Sequence, residues 1–431
     1  MTFYWRSGVL SKKLLFQAFL LCYNQAMDEV SRYAVGLDVG TENVRAVVAT
    51  VGKDGGISVV GYNEAPNAGM RKGVVANLTG PAESIDRMLG EVERMSGFEV
   101  NSAYVSINGA HVMSVKATGM IAVGAEDHEI NDDDLARVEQ AAVIGRVPAN
   151  RDILDVLPLS YTLDGQAGIK DPLGMTGSRL EIEASVISAL APNAINLRKA
   201  TEGAKVTADK LVPSVVAAAR AVLSEKQMEN GVAVVDLGGA TTSVAIFEEG
   251  DLQYVGVIPV GAHNITNDLA IVLQIEPEVA EDIKRRFVAK SGEEVTGEIV
   301  VRKGTEEMVF SRAEINEIVE ARLYEIFTEV RKELKVAKYD RRLPEGVVLV
   351  GGGARLKNVS IVAKDILETS VKVGVPKGLG GVADAIEKPE YAAAVGLALM
   401  AARENGQSVS AHNAKSKKSD GGFLKKLFKK F

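Results

Sequence analysis

Two copies of one β-turn-β-turn-β unit, about 200 residues apart, constrain this chain more than any other feature. The first reads as a buried strand Tyr33 to Asp38, a strand Val44 to Val51, a glycine-rich turn Gly52 to Gly56 and a strand Ile57 to Tyr62. The second reads as Val232 to Asp236, Ser243 to Glu248, the hairpin turn Glu249-Gly250-Asp251 and Leu252 to Pro259. Continuous apolar runs bounded by turn residues predict strands. Their recurrence predicts an α/β protein with two similar lobes facing one another. Helical spacing is expected over Ala82 to Ser96, Asp132 to Val143, 263–273, 277–290 and 312–337, with strands at Ala103 to Ile107 and, last, Val347 to Val350. Pro158 to Gly177 reads as loop.

Each copy breaks into a glycine turn after its first strand. In Asp38-Val-Gly40-Thr41-Glu42-Asn43, a carboxylate at a strand end can hold a hydrated Mg²⁺, glycine admits phosphate oxygens to the backbone, and threonine adds a donor. Alone the tetrad Asp38 to Thr41 is common in ordinary hairpins. It recurs as Asp236-Leu-Gly238-Gly239-Ala240-Thr241-Thr242. Two such turns on duplicated lobes predict a clamp on one triphosphate, with Asp38 and Asp236 flanking the metal through water. A third turn, Gly351-Gly352-Gly353-Ala354 after the strand Val347 to Val350, suits close backbone contact with adenine and ribose. A Rossmann reading fails because G-x-G-x-x-G is absent there.

At 431 residues the chain is long enough for several cores. Its net charge of −7 argues against a nucleic-acid surface. A single cysteine, Cys22, cannot form an internal disulfide, and four scattered histidines make no metal cluster, which suits a reducing compartment. The apolar stretch Leu14 to Cys22 after Arg6, Lys12 and Lys13 has no small-x-small cleavage site. Three readings are open for 1–30: a start assigned upstream of Met27, a disordered or helical extension, or an export signal.

The far end is more specific. Beyond about residue 403 the text turns polar, a flexible linker over 403–420, before a last helix over 421–431. There Phe423, Leu424, Leu427, Phe428 and Phe431 fill an arc of about 140°, with Lys425, Lys426, Lys429 and Lys430 opposite. This is the pattern of a helix lying in a membrane interface. Each fully buried Leu or Phe contributes about 1.5–3 kcal/mol, and each Lys near anionic lipid about 1 kcal/mol. So short a helix is marginal in water, so one tail binds weakly and many tails on a filament bind tightly. A helix docked on the protein's own surface and a nucleic-acid-binding basic tail are the plainer alternatives.

Read in order, the three turns resemble the phosphate-1, phosphate-2 and adenosine motifs of the actin/Hsp70/hexokinase superfamily. With Gly69-Met-Arg-Lys-Gly73-Val-Val-Ala-Asn77, Asp155-Val-Leu-Pro158-Leu-Ser-Tyr-Thr-Leu-Asp164 and Gly168-Ile-Lys-Asp-Pro172-Leu-Gly174-Met, they resemble the bacterial cell division protein FtsA family over about 33–431. That resemblance implies an actin-like two-lobed ATPase fold with an inserted 1C (SHS2-like) subdomain. It implies subdomain 1A at 31–106 and 183–218, 1C at 107–182, 2A at 219–260 and 320–402, and 2B at 261–319. Lys205 to Pro213 would begin the helix connecting the lobes, and Tyr391 to Leu399 the second connection. It also implies ATP and Mg²⁺ as cofactors, with Arg45 and Gly261 joining the nucleotide site. The partners implied are the tubulin-like protein FtsZ through 261–319, further copies of the chain in filaments, an anionic membrane surface, and downstream division proteins through 1C. The location implied is the cytoplasmic membrane face at the septum. Ala240 and Ser243 depart from the family pattern of glycine and aspartate, which bears on hydrolysis more than on binding. No catalytic residue is legible, so slow ATP hydrolysis is left open. A small-molecule kinase of the same fold, or a pilus-assembly adaptor, are the competing readings.

Overall fold

The computed structural model describes residues 33–52, 55–124, 128–286, 296–303 and 306–415. Two five-strand cores repeat one topology. In the first sheet Ile57–Pro66, Asn43–Val51 and Tyr33–Val39 form an antiparallel meander, which Ser102–Ile107 and Thr207–Pro213 extend in parallel. In the second, Asp251–Ile258, Thr242–Glu248 and Val232–Leu237 are extended in parallel by Val347–Val350 and Val371–Val373. Even the register repeats. Asp38 pairs with Arg45 and Val39 with Val44 in one copy, and Asp236 with Ser243 and Leu237 with Thr242 in the other.

Two helices fill the space between the sheets. Ser214–Val222 packs on the second sheet and Ala392–Lys415 on the first, and each packs against the other. Small residues bring them into backbone contact. A methyl on Gly396 would run into the Ala217 carbonyl, and one on Gly36 of the first sheet into the Ala394 carbonyl. The main core is continuous through both, from Leu37, Val44 and Val105 to Val234, Phe247 and Val350.

A separate four-stranded antiparallel sheet, ordered Met113–Ala122, Arg179–Leu190, Arg151–Leu163, Gln166–Ile169, carries the helix Asp132–Val143. Asn131 caps that helix, accepting from the N–H groups of Asp133 and Asp134. The second lobe also carries the helices His263–Val272 and Pro277–Arg286, which reach the inter-lobe cleft, and a hairpin of Glu298–Lys303 with Glu306–Ser311.

Several expectations need correction. The stretch from Pro158 is not loop: Arg151–Leu163 is a 13-residue strand. Its register shifts where Ser160 pairs with Glu183 and Pro158 with Ala184, and a bulge of this kind is where a strand tolerates proline. Thr207–Pro213 is a strand, and the connecting helix begins only at Ser214, because Lys205 ends the preceding helix with φ of 62° and Pro213 cannot extend the pairing. The strand Val347–Val350 is not the last, since Val371–Val373 follows. The inserted sheet runs to Leu190, beyond 182. Gly380–Gly381 pairs with the first sheet and the helix from Ala392 lies on it, so the chain leaves the second lobe before 402. That helix continues to Lys415 through 403–415, where composition predicted a linker, because extending a packed helix costs far less than starting one. The segments 1–30, 287–290, 416–420 and 421–431 of those expectations lie at least partly outside the described residues, the terminal helix entirely so.

Candidate functional site

The two glycine turns have the same internal bond. Gly40 N–H donates to the Asn43 carbonyl at 3.0 Å, and Gly238 N–H to the Thr241 carbonyl at 3.0 Å. Both turns face a single cleft of about 750 Å³ between the lobes. The third turn lines the same cleft. Of the residues expected there, Asp38, Gly40, Thr41, Glu42, Asn43, Arg45, Asp236, Gly238, Gly239, Ala240, Thr241, Gly351, Gly352 and Gly353 line the cleft.

Thr242, Gly261 and Ala354 stand behind the wall instead. Thr242 is fully buried and donates its hydroxyl to the Val260 carbonyl at 2.8 Å. Ala354 belongs to the second lobe's core. Gly261 supports the turn from beneath, where a methyl would sit 2.5 Å from the Gly239 carbonyl oxygen. The glycines are needed for close approach as much as for conformation. A methyl on Gly239 would strike the Glu42 side chain of the other lobe, and one on Gly351, at φ 84°, the Asp236 carboxylate. Ala240 has no positive φ, so its methyl costs the loop nothing.

Asp38 and Asp236 are close enough to perturb one another. Burial pushes the Asp236 carboxyl up to about 6, the neighbouring Asp38 adds to this, and the Ser214 hydroxyl and Arg45 oppose it. Burial also raises Asp38, against the pull of Arg45 and a hydrogen bond from Ser106. Arg45 itself is held by Glu64 at 3.0 Å and lies 5.8 Å from the centre of the Tyr391 ring. Ser106 also accepts the Val39 N–H at 2.8 Å. Two buried carboxyls facing one cleft, with the Arg45 guanidinium beside them, suit a hydrated divalent cation. Among the described residues no group of three or more His, Cys, Asp or Glu side chains could ligate a metal directly.

Sequence reasoning missed a second set of cleft residues. Asn108, at the end of Ser102–Ile107, donates to Ser214 Oγ at 3.2 Å and accepts from Ser243 Oγ at 3.0 Å. Ser214 in turn donates to Asp236 at 3.0 Å. Asn108 occupies the place in the first lobe that Gly351 has in the second, so the duplication could have flagged it. Gly73, at the tip of a hairpin of Met70–Arg71 with Val74–Val75, donates its N–H to Thr41 Oγ1 at 2.9 Å, leaving the threonine proton for another acceptor. Elsewhere on the cleft wall, Lys284 is buried and bonds Thr266 Oγ1 at 2.9 Å and Glu281 at 2.5 Å. No signal in the sequence singles out Lys284, because its helix carries lysines and arginines throughout its last turn.

Comparison with known proteins bears on the family and the fold. The family model described as cell division protein FtsA matches residues 233–396, and the model of the SHS2 domain inserted in FtsA matches 109–188. The FtsA of Pseudomonas aeruginosa is 35% identical over 382 residues, 87% of this chain and 91% of that protein. The FtsA of Bacillus subtilis is 33% identical, covering 86% of this chain and 83% of its own. Among solved structures, the PilM–PilN type IV pilus biogenesis complex matches with a TM-score of 0.63 at 17% identity, over 86% of this chain and 98% of that one. MreB5 of Spiroplasma citri bound to ADP matches with a TM-score of 0.53 at 14% identity, over 88% and 99%. The fold is therefore the actin-like two-lobed one with an inserted SHS2 domain.

Proposed function

This chain belongs to the FtsA family of bacterial cell division proteins, and from that premise we propose that it is an ATP-dependent, self-associating adaptor that fastens FtsZ to the cytoplasmic membrane at the septum. One observation carries the nucleotide part: the duplicated glycine turns, with identical internal bonds, meet across one cleft, Glu42 of the first lying against Gly239 of the second.

In this reading Gly40 to Asn43 and Gly238 to Thr241 grip the phosphates, with Thr41 and Thr241 donating. Asp38 and Asp236 orient the water shell of Mg²⁺, which when bound neutralises phosphate charge. Gly351 to Gly353 back the adenosine, and Glu281 and Lys284 offer an acceptor and a donor for ribose hydroxyls. Their mutual bond keeps Glu281 below the usual carboxylate range despite its burial.

The terminal segment Phe423 to Phe431 supplies the lipid contact, and among the described residues no helix is long and apolar enough to cross a membrane. Residues 261–319 are assigned to FtsZ, the inserted domain to downstream division proteins, and filament formation on the membrane to the ATP-bound chain. Titration of the purified chain with a fluorescent ATP analogue and Mg²⁺, followed by co-pelleting with FtsZ polymers and anionic vesicles, tests the reading. A chain that takes up no adenine nucleotide would refute it.

A further inference from the structure

The lobes are joined a second time, outside the cleft. The inserted domain is pinned to the first lobe by Arg198 on Asp152 at 2.8 Å and by Lys210 on Asp155 at 2.9 Å. At its neck Arg151 bonds the carbonyls of His111 and Ser188. Along Met113–Ala122 the side chains alternate. Val115, Ala117 and Ile121 belong to the inserted domain's own core, while Ser114 and Lys116 face the second lobe. There they meet the free edge of Asp251–Ile258. Ser114 Oγ accepts the Val255 N–H at 2.7 Å, Lys116 donates to Gln253 at 3.0 Å, and Lys170 pairs with Asp251 at 2.6 Å. Asp251 and Glu249 both hold Lys170 in its charged form.

That edge strand leads into the segment that supports the phosphate turn Gly238 to Thr241. A few residues on, Ala262 N–H donates to the Gly238 carbonyl at 2.9 Å and His263 N–H to the Gly239 carbonyl at 2.7 Å. The neck of the insert begins at Asn108, which bonds Ser243 across the cleft. The insert thus closes a ring that runs through the nucleotide cleft at one side and through the Ser114, Lys116 and Lys170 contacts at the other.

We infer that the inserted domain is a strut whose clasp on the strand Asp251–Ile258 holds the two lobes at the spacing where the phosphate turns meet. This rests on the nucleotide reading of the cleft. Nucleotide retention and clasp formation are then reciprocally linked, each strengthening the other by the same factor.

The test uses the full chain, a fluorescent ATP analogue with Mg²⁺, and release followed by stopped flow. Lys170→Glu, which faces Asp251 and Glu249, is expected to speed release roughly three- to tenfold. Adding Asp251→Lys to it returns the rate toward that of the unmodified chain, and bound nucleotide slows amide exchange across 251–258. If Lys170→Glu releases nucleotide at the unmodified rate and exchange over 251–258 ignores the ligand, the strut is overturned while the nucleotide site stands. If the unmodified chain binds no adenine nucleotide, both readings fall.

Discussion

Ser243 Oγ donates a 3.0 Å hydrogen bond to the Asn108 side-chain oxygen, tying the second lobe's hairpin to the strand end of the first. Asn108 passes the connection to Ser214 and so to Asp236, the cross-strand partner of Ser243 itself. Asn108→Ala leaves the Ser243 hydroxyl without its acceptor and removes the bond that Ser214 accepts, while Ser214 keeps its bond to Asp236. It should cost about 1–3 kcal/mol of stability and weaken Mg²⁺-dependent nucleotide binding. Chemical denaturation and a nucleotide titration check the two effects separately.

Asp236 gives the protein a pH signature. Its folded pKa, pushed up to about 6, lies above the unfolded value, so the folded state holds the proton more tightly. Stability from this group is therefore full below the unfolded pKa, near 4, and declines as pH rises through about 6. Asp236→Asn removes that decline and should stabilise the fold at pH 7 by about 1–2 kcal/mol, while abolishing Mg²⁺-dependent ATP binding. Denaturation curves from pH 4 to 8 on both proteins decide it; a variant less stable than the parent at pH 7 would contradict the sign.

The tri-glycine turn separates fold from ligand. Gly351→Ala meets the Asp236 carboxylate and an unfavourable φ, and should lose about 1–3 kcal/mol. A methyl on Gly352 meets no protein atom within 4 Å. Gly352→Ala should melt like the parent yet bind adenosine nucleotides less tightly. Unchanged affinity would remove adenosine from this turn.

Ending the chain at Asp420 removes the lysine-backed apolar terminus. The shortened protein should still bind nucleotide but no longer float with anionic vesicles. Flotation of the truncated protein would assign lipid binding elsewhere.

The duplication made the fold legible, because the two strand-turn-strand texts carry the same apolar runs and the first strand of each ends in Asp-x-Gly. Those texts placed Asp38 and Asp236 at facing strand ends. What stayed hidden depended on contacts distant in sequence. Asn108 sits in no motif and acquires meaning only when Ser102–Ile107 lies beside Tyr33–Val39. Pro158 misled because a bulge that accommodates it is a property of the pairing with Arg179–Leu190. The helix past residue 403 is carried by the packing of its first half on Tyr33–Val39 and Ser214–Val222, which composition alone does not report.

Where Gly396 rides on Ala217, the two inter-sheet helices come into backbone contact, and around that point the side chains of the crossing are mostly small, such as Ala217, Ala219, Ala392 and Ala393. Interlocked residues would give such a crossing a few preferred settings, like gear teeth. A crossing of small side chains behaves as a plain bearing, letting the halves of the molecule turn through small angles with little repacking. Resistance to that motion must then come from the periphery, and a single added methyl at position 396 would seize the joint.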